Sequence, residues 1–208
     1  MNKNIPIKNQ ILNKLQEWGR GKIFFLDDLA DIEDHVSVRQ FLCEMADEGT
    51  VFRLARGIYC YPKFAGDEFS HRRELPSPES VAYALAAKEK LRIIPYGDQA
   101  ACRLGLSGIV LSSLCFLTDG SPRTINMASG KKIRFNHTSE VKMFAFRNET
   151  MQMLSSAVRA LGAEHFENEE MRRRVRAILK DVPDTDFEKD ITLPPAWVGE
   201  ILTEIRNR

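Results

Sequence analysis

The first 64 positions alternate apolar and polar residues in the manner of short helices and strands. Apolar residues recur at helical spacing between Ile7 and Trp18, which predicts a first helix that ends at Gly19. Residues 23–25 are apolar and β-prone, and predict a short strand. Asp27 then precedes a short apolar stretch, so we expect it to cap a short second helix.

A third helix is predicted from Ser37, a favourable N-cap, to about Glu48. Its apolar positions are spaced by three and four residues, which indicates one buried face: Val38, Phe41, Leu42, Met45 and Ala46. Two β-prone runs within residues 50–62 flank the turn 55–57 and predict a hairpin. The order helix, strand, helix, helix, hairpin is typical of a winged helix-turn-helix.

Five polar residues lie where a winged helix would contact DNA. Ser37, Arg39 and Gln40 occupy the N-terminal end of the third helix, which is the end that contacts base edges. Arginine and glutamine side chains can pair with guanine and adenine. Arg53 and Arg56 lie on the hairpin, within reach of phosphates or the minor groove. The alternative is a solvated helix face with edge-strand charges that oppose aggregation.

The remaining residues predict a second α+β region. Residues 65–80 are polar and contain Pro76 and Pro78, and they predict a linker at 65–76 between one domain at 1–64 and another at 77–208. Further predicted elements are helices at 77–90 and 98–104, strands at 91–96 and 114–118, a hairpin from 123 to 136, an extended segment at 142–147, helices at 151–161, 164–179 and 196–206, and a loop at 182–186. The predicted fold class is α+β, with a winged helix-turn-helix followed by a mixed α/β domain and C-terminal helices.

The composition is that of an ordinary globular protein, with 43% hydrophobic residues, 28% charged residues and a net charge of +1. Residues 1–64 contain nine basic and nine acidic residues, so DNA affinity would depend on the placement of individual cations. No apolar run reaches the about 20 residues of a membrane helix, and residues 1–10 lack a signal segment. We therefore expect a cytoplasmic protein without a membrane partner.

The cysteines and histidines are too widely spaced to form a recognisable metal or disulfide motif. We expect reduced thiols, no metal site and no cofactor. A second basic surface is predicted on the hairpin from 123 to 136, facing phosphate or an acidic partner: Arg123, Lys131, Lys132 and Arg134. A solvated strand edge is the alternative interpretation of these four residues.

Several acid–base groups in the same region raise the question of catalysis: Asp98, Asp119, Arg123, Arg134 and His137. Their spacing matches no catalytic motif, and the sequence has no Gly-rich phosphate loop or nucleophile elbow. We therefore expect no enzyme. In that interpretation Asp119 caps a turn and pairs with Arg123, while His137 ends a strand.

Three segments resemble a known family when they are taken together: RLARGIYCYP, SPESVAYALAAKEKLRIIPYGDQAACRLGLS and FLTDGSPRTINMASGKKIRFNHTS. They are similar to the AbiEi-type antitoxins of abortive-infection systems, and in particular to their DUF6088-like bacterial subgroup, over roughly residues 5–180. The resemblance places two sets of residues in the family's motifs: Arg53, Arg56, Gly57 and Tyr59 on the wing, and Asp119, Arg123, Arg134 and His137 in a second-domain signature to which it assigns no catalytic role.

This resemblance implies a winged helix that binds double-stranded operator DNA and represses its own operon. It also implies a second domain that counteracts a nucleotidyltransferase-like toxin, with or without a stable complex. Two alternatives are a stand-alone transcriptional regulator without a toxin and, less favoured, an enzyme acting on nucleic acid and centred on Asp119, Arg123 and His137. No segment of the sequence specifies an oligomeric state.

Overall fold

The computed structural model describes residues 5–32, 34–65 and 72–208 and shows a mixed α+β protein. Its helices are α1 (Ile7–Trp18), α2 (His35–Asp47), α3 (Pro78–Glu89), α4 (Asp98–Arg103), α5 (Glu149–Leu161), α6 (Glu169–Leu179), α7 (Asp184–Asp190) and α8 (Ala196–Asn207). Its strands are β1 (Ile23–Phe25), β2 (Phe52–Ala55), β3 (Ile58–Cys60), β4 (Lys63–Ala65), β5 (Arg72–Glu74), β6 (Ile93–Pro95), β7 (Ser113–Thr118), β8 (Arg123–Asn126) and β9 (Lys132–His137).

The described residues form two compact units. The first extends to Leu85 and also includes Ile125–Lys131, whereas the second contains Ala86–Thr124 and Lys132–Arg208. The predicted linker at 65–76 lies partly outside the described residues. Its residues 72–74 form strand β5, which pairs with β4 in an antiparallel ladder.

In the first unit, α1 and α2 share a core with a three-stranded antiparallel sheet of order β1-β3-β2. The core contains residues from all of these parts, among them Ile11, Leu15, Phe24, Leu42, Met45 and Tyr59. Phe24 lies opposite Tyr59 in the strand register, and their rings stack with centroids 5.6 Å apart. The inward stripe predicted for the helix before the hairpin is confirmed at Val38, Leu42 and Met45, which are buried.

Two helix starts in this unit differ from the predictions. The expected second helix is a single 3₁₀ turn at Leu26–Leu29, and Asp28 rather than Asp27 accepts the Phe25 backbone N–H at 2.8 Å. The longer helix α2 begins at His35 with Asp34 as its N-cap, so the predicted cap at Ser37 is wrong. Asp34 is the cap because its carboxylate reaches the Ser37 backbone N–H, which places Ser37 in the first helical turn.

The second unit contains a four-stranded sheet of order β6-β7-β9-β8 in which β7 and β9 are parallel. Phe116 and Phe135 lie opposite each other on these central strands, and their buried rings stack 5.9 Å apart. The helices α4, α5, α6, α7 and α8 contribute to one apolar core of this unit, which includes Ala101, Leu154, Val158, Val175, Phe187 and Leu202.

Three predictions for this unit need correction. The predicted extended segment at 142–147 overlaps a 3₁₀ turn at Val141–Phe144. The predicted helix at 164–179 is divided, because the Asn168 side chain accepts from the Glu170 backbone N–H and starts a new helix. The predicted loop at 182–186 contains the start of α7.

A buried carboxylate fixes the start of α5. Asp190, the last residue of α7, is 1% exposed and accepts hydrogen bonds from the backbone N–H groups of Arg147, at 3.0 and 3.1 Å, and Asn148, at 2.9 Å. Asn148 is itself the N-cap of α5 and accepts from the Thr150 N–H at 2.9 Å. One side chain thus positions the cap of the central helix of this unit.

We expect Asp190→Ala to lower the free energy of unfolding by about 2–4 kcal/mol, because two partly buried backbone N–H groups lose a charged acceptor. Asp190→Asn retains one acceptor oxygen and should lose less. Urea unfolding of the three proteins measures the difference. A value for Asp190→Ala within about 0.5 kcal/mol of the wild type would contradict this role.

Candidate nucleic-acid interface

The start of α2 is held by a capping interaction that also involves a predicted DNA-contact residue. Asp34 has a left-handed backbone with φ of 69°, a conformation that aspartate tolerates better than most residues. Its Oδ1 accepts from the Ser37 N–H at 3.1 Å, and its Oδ2 accepts from the Ser37 hydroxyl at 2.5 Å. These bonds hold the pKa of the Asp34 carboxyl below its usual value. The Ser37 hydroxyl hydrogen is therefore committed to the cap.

The other two predicted contacts on α2 are exposed. Arg39 has no ion pair among the described residues, so its guanidinium is free to meet an external anion. Gln40 donates one amide hydrogen to Glu44 Oε1 at 3.2 Å, one turn further along the helix. Its carbonyl oxygen and second amide hydrogen remain for another partner.

The hairpin of β2 and β3 turns at Arg56 and Gly57. Gly57 has φ of 74°, a conformation that favours glycine at this position. In the ladder, Arg53 lies opposite Tyr59 whereas Ala55 lies opposite Ile58, so β2 carries one extra residue, Leu54, in a bulge. Arg56 is exposed at the tip and makes no ion pair within the described part of the chain.

Cations from α2 and from the hairpin act on one buried phenol. Tyr59 is 6% exposed, and burial raises its pKa. The positive charges of Arg53 and Arg39 shift the pKa of Tyr59 in the opposite direction. Arg53, which lies opposite Tyr59 in the strand register, has the larger of the two effects.

Other cations of the first unit are engaged within the protein. Lys8 pairs with Glu48 at 2.7 Å, and Lys14 pairs with Asp31 at 2.6 Å. Arg20 lies over two aromatic rings, with its guanidinium 4.7 Å from the Tyr61 centroid and 4.5 Å from the Phe64 centroid. Lys8, Lys14 and Arg20 therefore have contacts within the fold, whereas Arg39, Arg53 and Arg56 have no ion pair among the described residues.

A loop that is distant in sequence lies beside the bulged strand. The Ala128 N–H donates to the Leu54 carbonyl at 2.8 Å. A groove of about 420 Å³ follows this contact, with Arg53 and Lys131 among its lining residues and Phe52 and Met127 among its apolar ones. Lys131, which was predicted to belong to the second basic surface, therefore lines the same groove as Arg53, a predicted DNA-contact residue.

The remaining residues of the predicted second basic surface differ in their environments. Arg123 donates hydrogen bonds to both carboxylate oxygens of Glu89, and its guanidinium lies 5.4 Å from the centroid of the Phe135 ring. Lys132 and Arg134 are exposed on β9 and have no ion pair among the described residues. Arg123 therefore serves an internal ion pair, whereas Lys132 and Arg134 keep their charges accessible.

The acid–base candidates have separate partners. Asp119 accepts from the backbone N–H and the Nε–H of Arg92, at 2.9 and 2.8 Å, which lowers the pKa of Asp119. The predicted pair of Asp119 with Arg123 is therefore wrong. His137 Nδ1 lies 2.9 Å from the Gly120 carbonyl oxygen. These partners are structural contacts with neighbouring turns and strands.

Within residues 5–32, 34–65 and 72–208, no group of three or more His, Cys, Asp or Glu side chains is placed to hold a metal ion. Burial raises the pKa of the Cys60 thiol to about 11, so this thiol is protonated at neutral pH and a poor nucleophile. None of the helices in the described part of the chain combines the length and apolarity that crossing a bilayer requires.

Fold and site define a small α+β protein with accessible cations on one helix and one hairpin. The chain belongs to the family of unknown function DUF6088, which matches residues 10–187. The fold is similar to the crystal structure of the RV2827C protein from Mycobacterium tuberculosis, with 10% sequence identity and a TM-score of 0.52 over 99% of this chain and 78% of that one. At this identity the similarity concerns the fold alone. No curated protein gives a significant sequence match.

The capping carboxylate of α2 generates a pH-dependent prediction. Because the pKa of Asp34 is lower in the folded than in the unfolded state, its stabilising effect is complete above the unfolded pKa, about 3.9, and is lost as the pH falls through the folded value. Asp34→Asn keeps a good cap that does not titrate. Urea unfolding from pH 6 to pH 2 should show the wild type losing stability relative to Asp34→Asn. A constant difference would rule out this role.

Proposed function

We propose that the first unit is a winged helix that binds double-stranded operator DNA through α2 and the β2–β3 hairpin. We further propose that the protein is a cytoplasmic antitoxin and autorepressor of an abortive-infection operon, acting without a cofactor and without catalysis. The observation that carries the DNA-binding proposal is that exposed arginines without an ion pair among the described residues lie on both elements, at Arg39 of α2 and at Arg53 and Arg56 of the hairpin. A reading helix and a wing both need accessible cations to contact one stretch of DNA.

The distribution of charge along α2 supports this orientation. Arg39 lies in the first half of the helix, where base contacts are made. Acidic residues are concentrated in and just after its second half, at Glu44, Asp47 and Glu48, and the last of these is paired with Lys8. An approach that leads with the N-terminal half keeps these carboxylates away from phosphates.

The state of the hairpin arginines supports a phosphate contact. Arg53 and Arg56 are exposed and have no ion pair among the described residues. A cation without a protein partner can neutralise a phosphate and release its counterion without first breaking an internal pair. The first unit is nearly neutral at the sequence level, so a few free cations would supply most of its attraction to DNA.

The antitoxin part of the proposal rests on the resemblance of the three sequence segments to AbiEi-type antitoxins. In this proposal the second unit counteracts a nucleotidyltransferase-like toxin. The separate partners of Asp119, Arg123 and His137, which are Arg92, Glu89 and Gly120, favour structural roles for these side chains over catalytic ones.

We expect the double variant Arg53→Ala/Arg56→Ala to bind the promoter of its own operon about tenfold or more weakly, because charged contacts to DNA are lost. Each lost phosphate contact should also lower the slope of log affinity against log salt concentration by about one unit. Gel-shift titrations at several salt concentrations measure both quantities. Unchanged affinity and slope would exclude the hairpin from the interface.

Two further variants sharpen the same experiment. Arg173→Ala/Arg174→Ala removes two charges from α6, where both arginines pair with Glu170, and should bind DNA as the wild type does. Arg39→Ala should change the preference among operator sequences as well as the affinity, since the proposal places Arg39 at base edges. A uniform loss across sequences would assign Arg39 to phosphate instead.

Co-expression tests the antitoxin part separately. We expect the full-length protein to restore the growth of cells that express a nucleotidyltransferase-like protein encoded beside it. The Arg53→Ala/Arg56→Ala variant should lose repression of the operon but retain this rescue, because the proposal assigns rescue to the second unit. Repression without any rescue, or the lack of such a neighbouring gene, would favour the stand-alone transcriptional regulator.

A further inference from the structure

A buried amide in the second unit has unmet hydrogen-bonding capacity within the described part of the chain. Gln99, the second residue of α4, is 3% exposed, and neither its Nε2 nor its Oε1 has a hydrogen-bond partner among the described residues. The next two residues, Ala100 and Ala101, are fully buried in the apolar core and hold this helix in place. An unpaired buried amide is destabilising, and a ligand that supplied a donor and an acceptor would relieve that cost.

Gln99 lines a cavity of about 420 Å³ that lies entirely within the second unit. This volume falls in the range of small-molecule sites, about 300–1,000 Å³. The start of α4, residues 110–113 and the strands β7 and β9 form its walls. Its polar side chains include Tyr96, Asp98, Gln99, Ser113, Arg134 and Asn136.

The register of the sheet explains why this wall is polar. Along β9 the side chains alternate, so that Ile133 and Phe135 are buried while Arg134 and Asn136 are exposed. Cys115 of β7 lies opposite Arg134 in the parallel ladder and also lines the cavity. The exposed Arg134 guanidinium has no ion pair among the described residues, and its charge is available to a ligand.

We infer that this cavity binds an adenine nucleotide, with the base edge on the Gln99 amide and the phosphate on Arg134. A glutamine amide presents a donor and an acceptor side by side, which matches the N6 and N7 edge of adenine. Ser113 and Asp98 offer a hydroxyl and a carboxylate to ribose hydroxyl groups, and the ring of Tyr96 contributes an aromatic wall.

A free nucleotide and a nucleotide within a single strand share this chemistry. The site uses no residue of the first unit, so it is independent of the proposed contact with operator DNA.

Isothermal titration calorimetry of the full chain tests the inference with AMP, GMP, CMP, UMP, adenosine and short single-stranded adenine oligonucleotides. We expect saturable binding of AMP that is tighter than that of the other three mononucleotides. Gln99→Leu, which removes both hydrogen-bonding atoms, should weaken AMP binding by about tenfold or more. The same variant should melt at a higher temperature than the wild type without ligand, because the unpaired amide is gone.

The phosphate contact has its own pair of variants. Arg134→Gln should weaken the binding of AMP but leave that of adenosine unchanged. Arg147→Gln removes the same charge from an exposed position that does not line the cavity, and should retain wild-type affinity. Because Arg134 is exposed, Arg134→Gln keeps the test decisive if Gln99→Leu fails to fold.

The source of the nucleotide follows from the comparison of AMP with the oligonucleotides. Binding of AMP alone identifies a free nucleotide as the ligand. Binding of the oligonucleotides alone identifies a strand end or loop. Either result supports the inference if Gln99→Leu or Arg134→Gln weakens the binding. The absence of saturable binding by every probe would overturn the inference, as would binding that neither variant changes. Failure of the operator gel shift would leave this result unaffected.

Discussion

The packing of Tyr59 joins the two elements that we propose to contact DNA. Its ring stacks on Phe24 in a core that α2 also enters, through Leu42 and Met45, while Arg53 lies opposite Tyr59 in the strand register. Because the ring is buried between aromatic and helical neighbours, the hairpin cannot move far from α2 without opening the core. Packing of the core therefore sets the spacing between the hairpin and α2, the elements on which Arg53 and Arg39 lie.

Periodicity predicted which face of α2 is buried but misplaced the residue at which the helix starts. The sequence Asp34-His35-Val36-Ser37 contains two favourable caps three residues apart, and both precede the same apolar stripe. The choice depends on the backbone of Asp34, whose left-handed conformation brings its carboxylate to the Ser37 N–H. Residue type and spacing do not contain that information.

At the candidate interface, residue type and spacing likewise do not predict which side chains pair with each other. The exposed positions of Arg39, Arg53 and Arg56 follow from their places within one helix and one hairpin, and these are local features. Arg123 pairs with Glu89 rather than with the nearby Asp119, and Lys131 shares a groove with Arg53. The pair and the shared groove each involve residues far apart in the chain, so only the three-dimensional structure could reveal which cations remain accessible.

Two buried polar side chains of the second unit show how structural and binding roles differ physically. Asp190 accepts hydrogen bonds from two backbone N–H groups, so its burial is compensated and it stabilises the start of α5. Gln99 is buried to a similar degree without a partner among the described residues, although it faces a cavity with polar walls. An apolar residue at position 99 would stabilise the isolated chain more than glutamine does. A ligand with a matching donor and acceptor that fills the cavity would supply the interactions that the amide lacks among the described residues.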